Sequence, residues 1–402
     1  MIACNFSIGG TTSIRIITYK ICCFGLLAAE AGSEGAEKGC NHRLQDSSIA
    51  QNDILFLFAF SMISRFRDFV LTVCSIWINM KNRRIKVLTV FGTRPDAIKM
   101  APVVLEFAKY PDEVDLSVAV TGQHREMLDQ VLSAFEIKPD YDLAIMRDRQ
   151  TLSGMTCRAL EGLDPVIEEV QPDILIAQGD TTTTFVASLA AFYHKVAFGH
   201  VEAGLRTDNK YNPFPEEMNR RLTGVLTDLH FAPTAAAKDN LLAQGIPESA
   251  VSVTGNTVID ALLHVAAKPH DFEDETLVKA TSNGHRIILV TSHRRENWGE
   301  PMRDICKAVK EIDRQHPDTA VVFSLHKNPI VREVVVPELS DVDRIYLVEP
   351  PDYVPFIHLM KSSYLILTDS GGVQEEGPSL GKPVLVMRET TERPEGVEAG
   401  NA

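Results

Sequence analysis

The sequence predicts an α/β protein of two Rossmann-like, doubly wound domains that face each other across a cleft. From Ile85 onward, short β-branched runs alternate with longer amphipathic stretches, and Gly, Pro and Asp separate them. Such an alternation indicates parallel sheets with helices on both faces. The length of 402 residues suits two domains, and a polar segment from Lys268 to Gly284 divides the alternating region into two series.

Composition and charge exclude several classes of protein. Apolar residues make up 45% of the chain and charged residues 23%, which is typical of globular proteins. The formal charge of −14 disfavours nucleic acid and anionic membranes, so we predict neither partner. Only Cys157 and Cys306 lie after residue 85, too few and too far apart for a disulfide framework or a zinc motif. We therefore predict a cytoplasmic protein without a metal or other cofactor.

The region before residue 85 lacks the alternation, and its apolar runs are about half the length that a membrane-spanning helix needs. We predict that Met80 is the functional start, with a secretory signal at Ile21 to Ala31 as the alternative. The predicted segments are an extension outside the fold (1–84), a first domain (85–256), a connecting helix and linker (257–284) and a second domain (285–402).

The individual elements follow from local patterns. Ile85 to Phe91 is rich in β-branched residues, and Gly92 to Pro95 turns this strand into a helix with proline at its first position. Further strands of the first domain are predicted at Leu116–Val120, Asp173–Ala177, Val196–Val201, Leu229–Phe231 and Val251–Val253, before a helix at Thr257–Ala266. Strands of the second domain are predicted at Arg286–Thr291, Ala320–Leu325, Arg344–Val348, Tyr364–Thr368 and Pro383–Met387.

Polar or glycine-rich loops directly after strands are the candidate sites, because ligands of parallel sheets bind at the carboxyl ends of the strands. Gly92 to Pro95, with Arg94 and with Lys99 one turn further on, offers N–H groups and two cations to a phosphate. A tight turn with surface cations is the alternative. Gln178 to Thr184 carries Asp180 at the end of a buried strand, where a simple helix cap is the alternative.

A carboxylate cluster is predicted beside Asp180. Glu202 ends the next strand, and the loop after it leads to Glu216 and, one turn later, to Arg220. Mutual repulsion splits the pKa values of neighbouring carboxylates, so that one can act as an acid and another as a base. For Glu216 and Glu217, surface acids at a helix start are the alternative.

The second domain offers two loops of the same kind. Thr291 to Asn297 contains His293 and two arginines after a strand, although a solvated charge run is the alternative. Asp369 to Glu376 combines a strand end, two glycines and a helix, so that the N–H groups of Ser370 to Gly372 can hold a phosphate while Glu376 reaches ribose hydroxyls. Two phosphate-binding edges that face each other suit a nucleotide diphosphate.

These loops lie within the segments VFGTRPDAIKMAPV, TGQHREMLDQVL, QGDTTTTFVASLAAFY, GHVEAGLRT, PFPEEMNRRLT, TGNTVIDALL, SHRREN, LTDSGGVQEEGPSLGKPVLVM and TTERPE. With them, from about Ile85 to its end, the chain closely resembles the bacterial non-hydrolysing UDP-N-acetylglucosamine 2-epimerases. The resemblance implies a fold like that of the GT-B glycosyltransferases and a homodimer. It also implies reversible conversion of UDP-N-acetylglucosamine to UDP-N-acetylmannosamine for surface polysaccharide, by anti elimination of UDP to 2-acetamidoglucal and re-addition.

The resemblance further implies roles for individual residues. Those for the chemistry are Asp180, Glu202 and Glu216 in proton transfer, Arg220 in orienting the carboxylates and His293 beside the departing diphosphate. Those for binding are Arg94, Lys99, Ser370, Gly371, Gly372 and Arg393 for the phosphates, Glu376 for the ribose and Phe356 for the uracil. Gln123 and His124 fall where family members hold a second, activating substrate molecule.

The sequence departs from the family in three places. Asp96 replaces a more common Glu, which we expect to matter little, and Pro351 replaces a Gln of some members. The chain also stops about fifty residues before family members do. We expect this to leave apolar surface of the last strands uncovered and to make turnover slow. The alternatives are a hydrolysing 2-epimerase that releases N-acetylmannosamine and UDP, a GT-B glycosyltransferase, and a non-catalytic nucleotide-sugar binder or inactive fragment.

Overall fold

The computed structural model describes residues 83–122, 125–147 and 150–388. It confirms the predicted fold class, because two wholly parallel sheets are each flanked by helices. The predicted start at Met80, the pair Gln123 and His124, and Arg393 lie outside the described residues.

The first sheet has seven strands in the order β3-β2-β1-β4-β5-β6-β7. They are β1 (Ile85–Phe91), β2 (Val114–Val120), β3 (Tyr141–Asp142), β4 (Ile174–Gln178), β5 (Ala197–Val201), β6 (Leu229–Ala232) and β7 (Val251–Val253). The helices that belong to this half are α1 (Arg94–Phe107), α2 (Arg125–Ala134), α3 (Leu152–Val170), α4 (Thr182–Tyr193), α5 (Glu216–Leu226) and α6 (Ala235–Ala243). Only the short β3 had no counterpart in the sequence pattern, because two residues cannot show a periodicity.

The second sheet has five strands in the order β10-β9-β8-β11-β12. The helices from the connection onward are α7 (Thr257–Ala267), α8 (Glu275–Ser282), α9 (Glu300–Gln315), α10 (Pro329–Leu339), α11 (Tyr353–Ser362) and α12 (Gly371–Ser379). The strands are β8 (Arg286–Ser292), β9 (Thr319–Leu325), β10 (Ile345–Val348), β11 (Ser363–Thr368) and β12 (Val384–Val386).

Strand register brings the predicted loops together. In the first sheet Gln178, the last residue of β4, is paired with Val201, the last residue of β5. The residues that follow, Asp180 and Glu202, therefore leave the sheet at the same edge and side by side. In the second sheet Thr368 is paired with Thr291, so the loops after β11 and β8 are neighbours in the same way.

Helix α7 joins the two halves, since it packs on α1 of the first half and on α11 and α12 of the second. Asn256 caps its start and donates from Nδ2 to Glu375 Oε2 at 3.0 Å. At its other end, Lys361 Nζ donates to the Ala266 carbonyl at 2.6 Å. Hydrogen bonds between the halves thus lie at both ends of one helix.

The predicted linker differs from what the structure shows. Asp274 caps α8 by accepting from the Leu277 N–H at 2.9 Å, and α8 packs on β9 and β10 with Leu277 and Ala280 buried. Part of the segment is amphipathic and carries its own cap, so it forms a helix that packs on the sheet of the second half.

An apolar groove lies beside β12. Its walls include Ile305, Val309 and Ile312 of α9 together with Leu367 and Leu385, and Leu385 is 54% exposed. Among the described residues, therefore, apolar surface of the last strands is open on this side. No helix within the described ranges has the length and hydropathy that crossing a membrane requires.

Candidate functional site

A cavity of about 620 Å³ lies where the two halves meet at the carboxyl ends of their strands. The predicted site residues on its wall are Arg94, Lys99, Glu202, His293, Phe356, Ser370, Gly372 and Glu376. Both halves contribute, so the cavity depends on their arrangement and not on either sheet alone.

The loop after β1 is built around a capped helix. Thr93 and Asp96 form a capping box at the start of α1, with Pro95 in the first turn. Gly92 has no room for a side chain, because a Cβ there would overlap the Thr121 hydroxyl. The loop consequently presents the exposed Arg94 to the cavity.

Asp96 has a larger part in this loop than its place in a first helical turn suggests. Its buried Oδ2 accepts from the N–H groups of Gly92 (3.4 Å) and Thr93 (3.2 Å) and from the Thr181 hydroxyl (3.2 Å). Burial raises the pKa of Asp96 to about 6 despite these hydrogen bonds. The carboxylate thus ties the β1–α1 loop to the β4–α4 loop.

Lys99 is bound to a carboxylate. Its Nζ donates to Oε1 and Oε2 of Glu202 at 2.8 and 2.6 Å, and the Gln178 amide also donates to Glu202. Glu202 has a positive φ of 62°, which turns the chain sharply at the end of β5. The structure therefore places the Lys99 charge on a predicted catalytic residue, whereas the resemblance assigns Lys99 to the phosphates.

Asp180 is paired with Arg220. Arg220 Nη2 lies 2.5 Å from Asp180 Oδ2, and Arg220 Nη1 lies 3.4 Å from Glu217 Oε2. Neither Asp180 nor Arg220 is on the cavity wall, but the preceding Gly179 is near Glu202 Oε2. Arg220 thus fixes the position of the Asp180 carboxylate.

Glu216 and Glu217 differ although they are adjacent. Glu216 starts α5 and is partly exposed, and no described residue donates a hydrogen bond to its carboxylate. Glu217 is fully buried and accepts from Arg221 Nε at 2.9 Å and from the Thr207 N–H at 3.1 Å. Burial opposes ionisation, but these donors outweigh it and lower the pKa of Glu217. Glu217 is therefore a structural ion-pair partner and not a surface acid.

In the second half, Asp369 holds the loop that carries His293. His293 Nδ1 lies 3.1 Å from Asp369 Oδ1, while the Ser292 hydroxyl and the Asn297 amide each donate to Oδ2 at 2.8 Å. Burial alone would raise the pKa of Asp369, but the hydrogen bonds from His293, the Arg294 N–H, Ser292 and Asn297 hold it far below its usual range. The carboxylate is therefore ionised, and it orients the imidazole so that Nε2 is directed away from it.

Helix α12 starts at the cavity. Ser370 occupies the N-cap position without a side-chain capping hydrogen bond, and Gly371 and Gly372 occupy the first two helical positions, where N–H groups have no partner within the helix. One turn later, burial and the neighbouring Glu375 raise the pKa of Glu376 to about 7. This end of the cavity thus combines a helix N-terminus with a carboxyl group that is partly protonated at neutral pH.

Several wall residues are not among the predicted site residues, and three of them carry polar side chains of chemical interest. Asn256, His326 and Tyr353 all line the cavity, and the His326 and His293 rings stack at 5.8 Å. Asn256 and His326 follow strands closely, so the rule that selected the other loops would have found them; Tyr353 starts a helix and carries no such signal. In the part of the chain that the structure describes, no three His, Cys, Asp or Glu side chains are grouped to hold a metal ion.

Comparison with known proteins agrees with this geometry. A family model described as "UDP-N-acetylglucosamine 2-epimerase" matches residues 107–402. The chain is 57% identical over 320 residues to the UDP-N-acetylglucosamine 2-epimerase of Bacillus subtilis, covering 79% of this chain and 82% of that protein. For the enzyme of Escherichia coli O157:H7 the identity is 53% over 322 residues, covering 78% and 85%.

Solved structures give the same result. A crystal structure of UDP-GlcNAc 2-epimerase from Neisseria meningitidis bound to UDP-GlcNAc superposes with a TM-score of 0.65 at 53% identity, covering 79% of this chain and 86% of that one. The enzyme of Methanocaldococcus jannaschii gives 0.69 at 34% identity, covering 79% and 88%. The chain therefore belongs to the UDP-N-acetylglucosamine 2-epimerase family.

Proposed function

We propose that the protein interconverts UDP-N-acetylglucosamine and UDP-N-acetylmannosamine without net hydrolysis. One observation carries this proposal: a single cavity has a helix N-terminus that is suited to a phosphate on one wall and an oriented carboxylate, Glu202, on the other. A nucleotide diphosphate and a sugar that exchanges a proton need these two features close together.

The diphosphate is proposed to lie at the start of α12. The free N–H groups of Gly371 and Gly372 and the helix dipole attract anionic oxygens. Arg94 and His293 add donors from both sides of the cavity, and a protonated His293 would neutralise charge on the departing UDP. Stabilisation of a leaving group by fixed donors is commonly a large contribution to catalysis.

The sugar chemistry is proposed to proceed by elimination and re-addition. A carboxylate removes the proton at C2, the C2–H electron pair forms a C1=C2 double bond, and the C1–O bond breaks with its pair passing to the UDP β-phosphate oxygen. UDP then adds back to C1 while C2 receives a proton on the opposite face. Asp180, Glu202 and Glu216 are the candidates for these transfers, and Arg220 positions Asp180.

Proton NMR in deuterium oxide tests this function. UDP-N-acetylglucosamine should convert to the manno epimer with deuterium entering at C2, and free UDP should remain low. Accumulation of UDP with free N-acetylmannosamine would indicate the hydrolysing reaction, and conversion without deuterium at C2 would exclude the elimination.

We further propose a homodimer that forms through α4 and α5. These helices pack against each other and expose the large apolar side chains Phe192 (61%), Tyr193 (60%) and Val225 (81%), and exposed apolar surface of this kind suits contact with a second copy of the chain. Light scattering should show a dimer that Val225→Glu dissociates. Val278→Glu, which changes an exposed valine on α8, should leave the dimer intact.

We also propose a cytoplasmic location, which the free thiols of Cys157 and Cys306 support.

A further inference from the structure

The turn that carries Asp180 is held by an unusual set of side chains. Its three consecutive backbone carbonyls, those of Gln178, Gly179 and Asp180, each accept a hydrogen bond from a different element. The donors are the Thr184 hydroxyl in α4 (2.6 Å), the His200 Nε2–H in β5 (2.7 Å) and the Asn219 amide in α5 (2.9 Å).

All three donors are shielded from water. Thr184 and His200 are 1% exposed and Asn219 is 8% exposed, so each hydrogen bond is made in a setting where losing it is costly. Burial lowers the pKa of His200 to about 3, and a neutral imidazole has only one N–H to donate. Here that N–H donates to the carbonyl of Gly179, a residue with a positive φ of 78°.

The carboxylate of Asp180 is fixed from the same direction. Asn219 binds the Asp180 carbonyl and the next residue, Arg220, binds the Asp180 carboxylate at 2.5 Å. The first turns of α5 thus hold both the main chain and the side chain of one aspartate. These contacts stabilise one conformation of the chain at the end of strand β4.

We propose that Thr184, His200 and Asn219 are positioning residues that set the direction of the Asp180 carboxylate for proton transfer. The inference rests on the proposed function, in which Asp180 takes part. A group that reacts with a bound sugar must be held to within a fraction of an ångström, and a displacement of about 1 Å can cost up to a hundredfold in rate. Each of the three side chains donates to a main-chain carbonyl of the Asp180 turn, so any effect that they have on catalysis passes through that turn.

Thr184→Val and Thr184→Ser form the matched pair that tests this. Valine has the shape of threonine without the hydroxyl, and serine keeps the hydroxyl. We expect Thr184→Val to lower kcat about tenfold or more with KM and UDP affinity within about twofold of wild type, and Thr184→Ser to restore most of kcat. Asn219→Asp, which removes the amide donor from another helix, should give the same split between kcat and KM.

A double-mutant cycle separates positioning from a general loss of structure. In an Asp180→Asn background, Thr184→Val should cause less than a twofold further loss of kcat, because the group that it positions is already gone. An equal loss in both backgrounds would overturn the proposal, as would a wild-type kcat in both Thr184→Val and Asn219→Asp. Absence of any turnover by the wild-type protein is a different result, since it would refute the proposed function itself. In each variant, UDP binding and the unfolding temperature check that the fold persists.

Discussion

The ammonium group of Lys99 and the carboxylate of Glu202 form a two-point ion pair, with Nζ 2.8 Å from Oε1 and 2.6 Å from Oε2. The two residues are separated by 103 positions in the chain, and both lie on the wall of the cavity. Because both carboxylate oxygens are occupied by one cation, the orientation of Glu202 depends on Lys99.

The first prediction follows from this pair. Lys99→Met should lower kcat by about ten- to a hundredfold, the range expected for losing a charge-assisted hydrogen bond of about 1.5–3 kcal/mol. Lys99→Arg should recover part of the loss. In a Glu202→Gln background the effect of Lys99→Met should shrink, and steady-state kinetics on the four proteins measures this coupling. Equal effects in both backgrounds would show that Lys99 acts on the diphosphate instead.

The second prediction concerns the phosphates. Arg94→Ala should weaken UDP binding by about 1.5–3 kcal/mol, because a charge-assisted contact at the cavity is lost. Arg84→Ala is the control, since Arg84 is exposed at the opposite end of β1. Isothermal titration measures both, and adding EDTA should leave the affinity unchanged. A requirement for a divalent ion would contradict the proposed diphosphate site.

The third prediction addresses the carboxylates. Asp180→Asn, Glu202→Gln and Glu216→Gln should each retain UDP binding and lose about a hundredfold or more in rate, the usual scale for general acid or base catalysis. Glu273→Gln, on an exposed residue, should behave as wild type. Near-normal turnover in any of the three would remove that residue from the mechanism.

The fourth prediction concerns pH and stability. The pKa of Asp96 is about 6 in the folded protein against 3.8 for an ordinary aspartate, so the folded state binds more protons than the unfolded state between these values. This contribution to stability is fully present below about pH 4 and is lost as pH rises through 6. The difference between the two pKa values corresponds to about 3 kcal/mol in the free energy of unfolding.

Asp96→Asn cannot lose a proton, so its free energy of unfolding relative to wild type should rise between about pH 4.5 and 7. Urea titrations at several pH values measure this difference. Asp112→Asn, at an exposed position, should show no such trend. A parallel pH dependence in Asp96→Asn and wild type would mean that Asp96 is ionised throughout.

Much of the fold could be predicted from the amino-acid sequence. The β-branched run of β1 and the strand ends that precede Asp180, Glu202 and His293 are local patterns, and local patterns carry the secondary structure. Polar loops after buried strands indicated most of the cavity wall for the same reason. The short strand β3 shows the limit, since two residues cannot show a periodicity. Helix α8 shows another, because its amphipathic pattern lies within a polar segment that indicated a linker.

Contacts between residues that are far apart in the sequence could be identified only from the tertiary structure. The sequence by itself determined that Lys99 and Glu202 follow strands of one sheet, yet only the register of β4 against β5 and the packing of α1 put the ammonium on the carboxylate. Likewise Asn219 and Glu217 sit among similar polar residues at the start of α5, and only their tertiary partners show that the amide holds the Asp180 turn while the acid binds arginines. Burial and long-range pairing are properties of the assembled chain, because each depends on the elements that surround a residue and not on its neighbours in sequence.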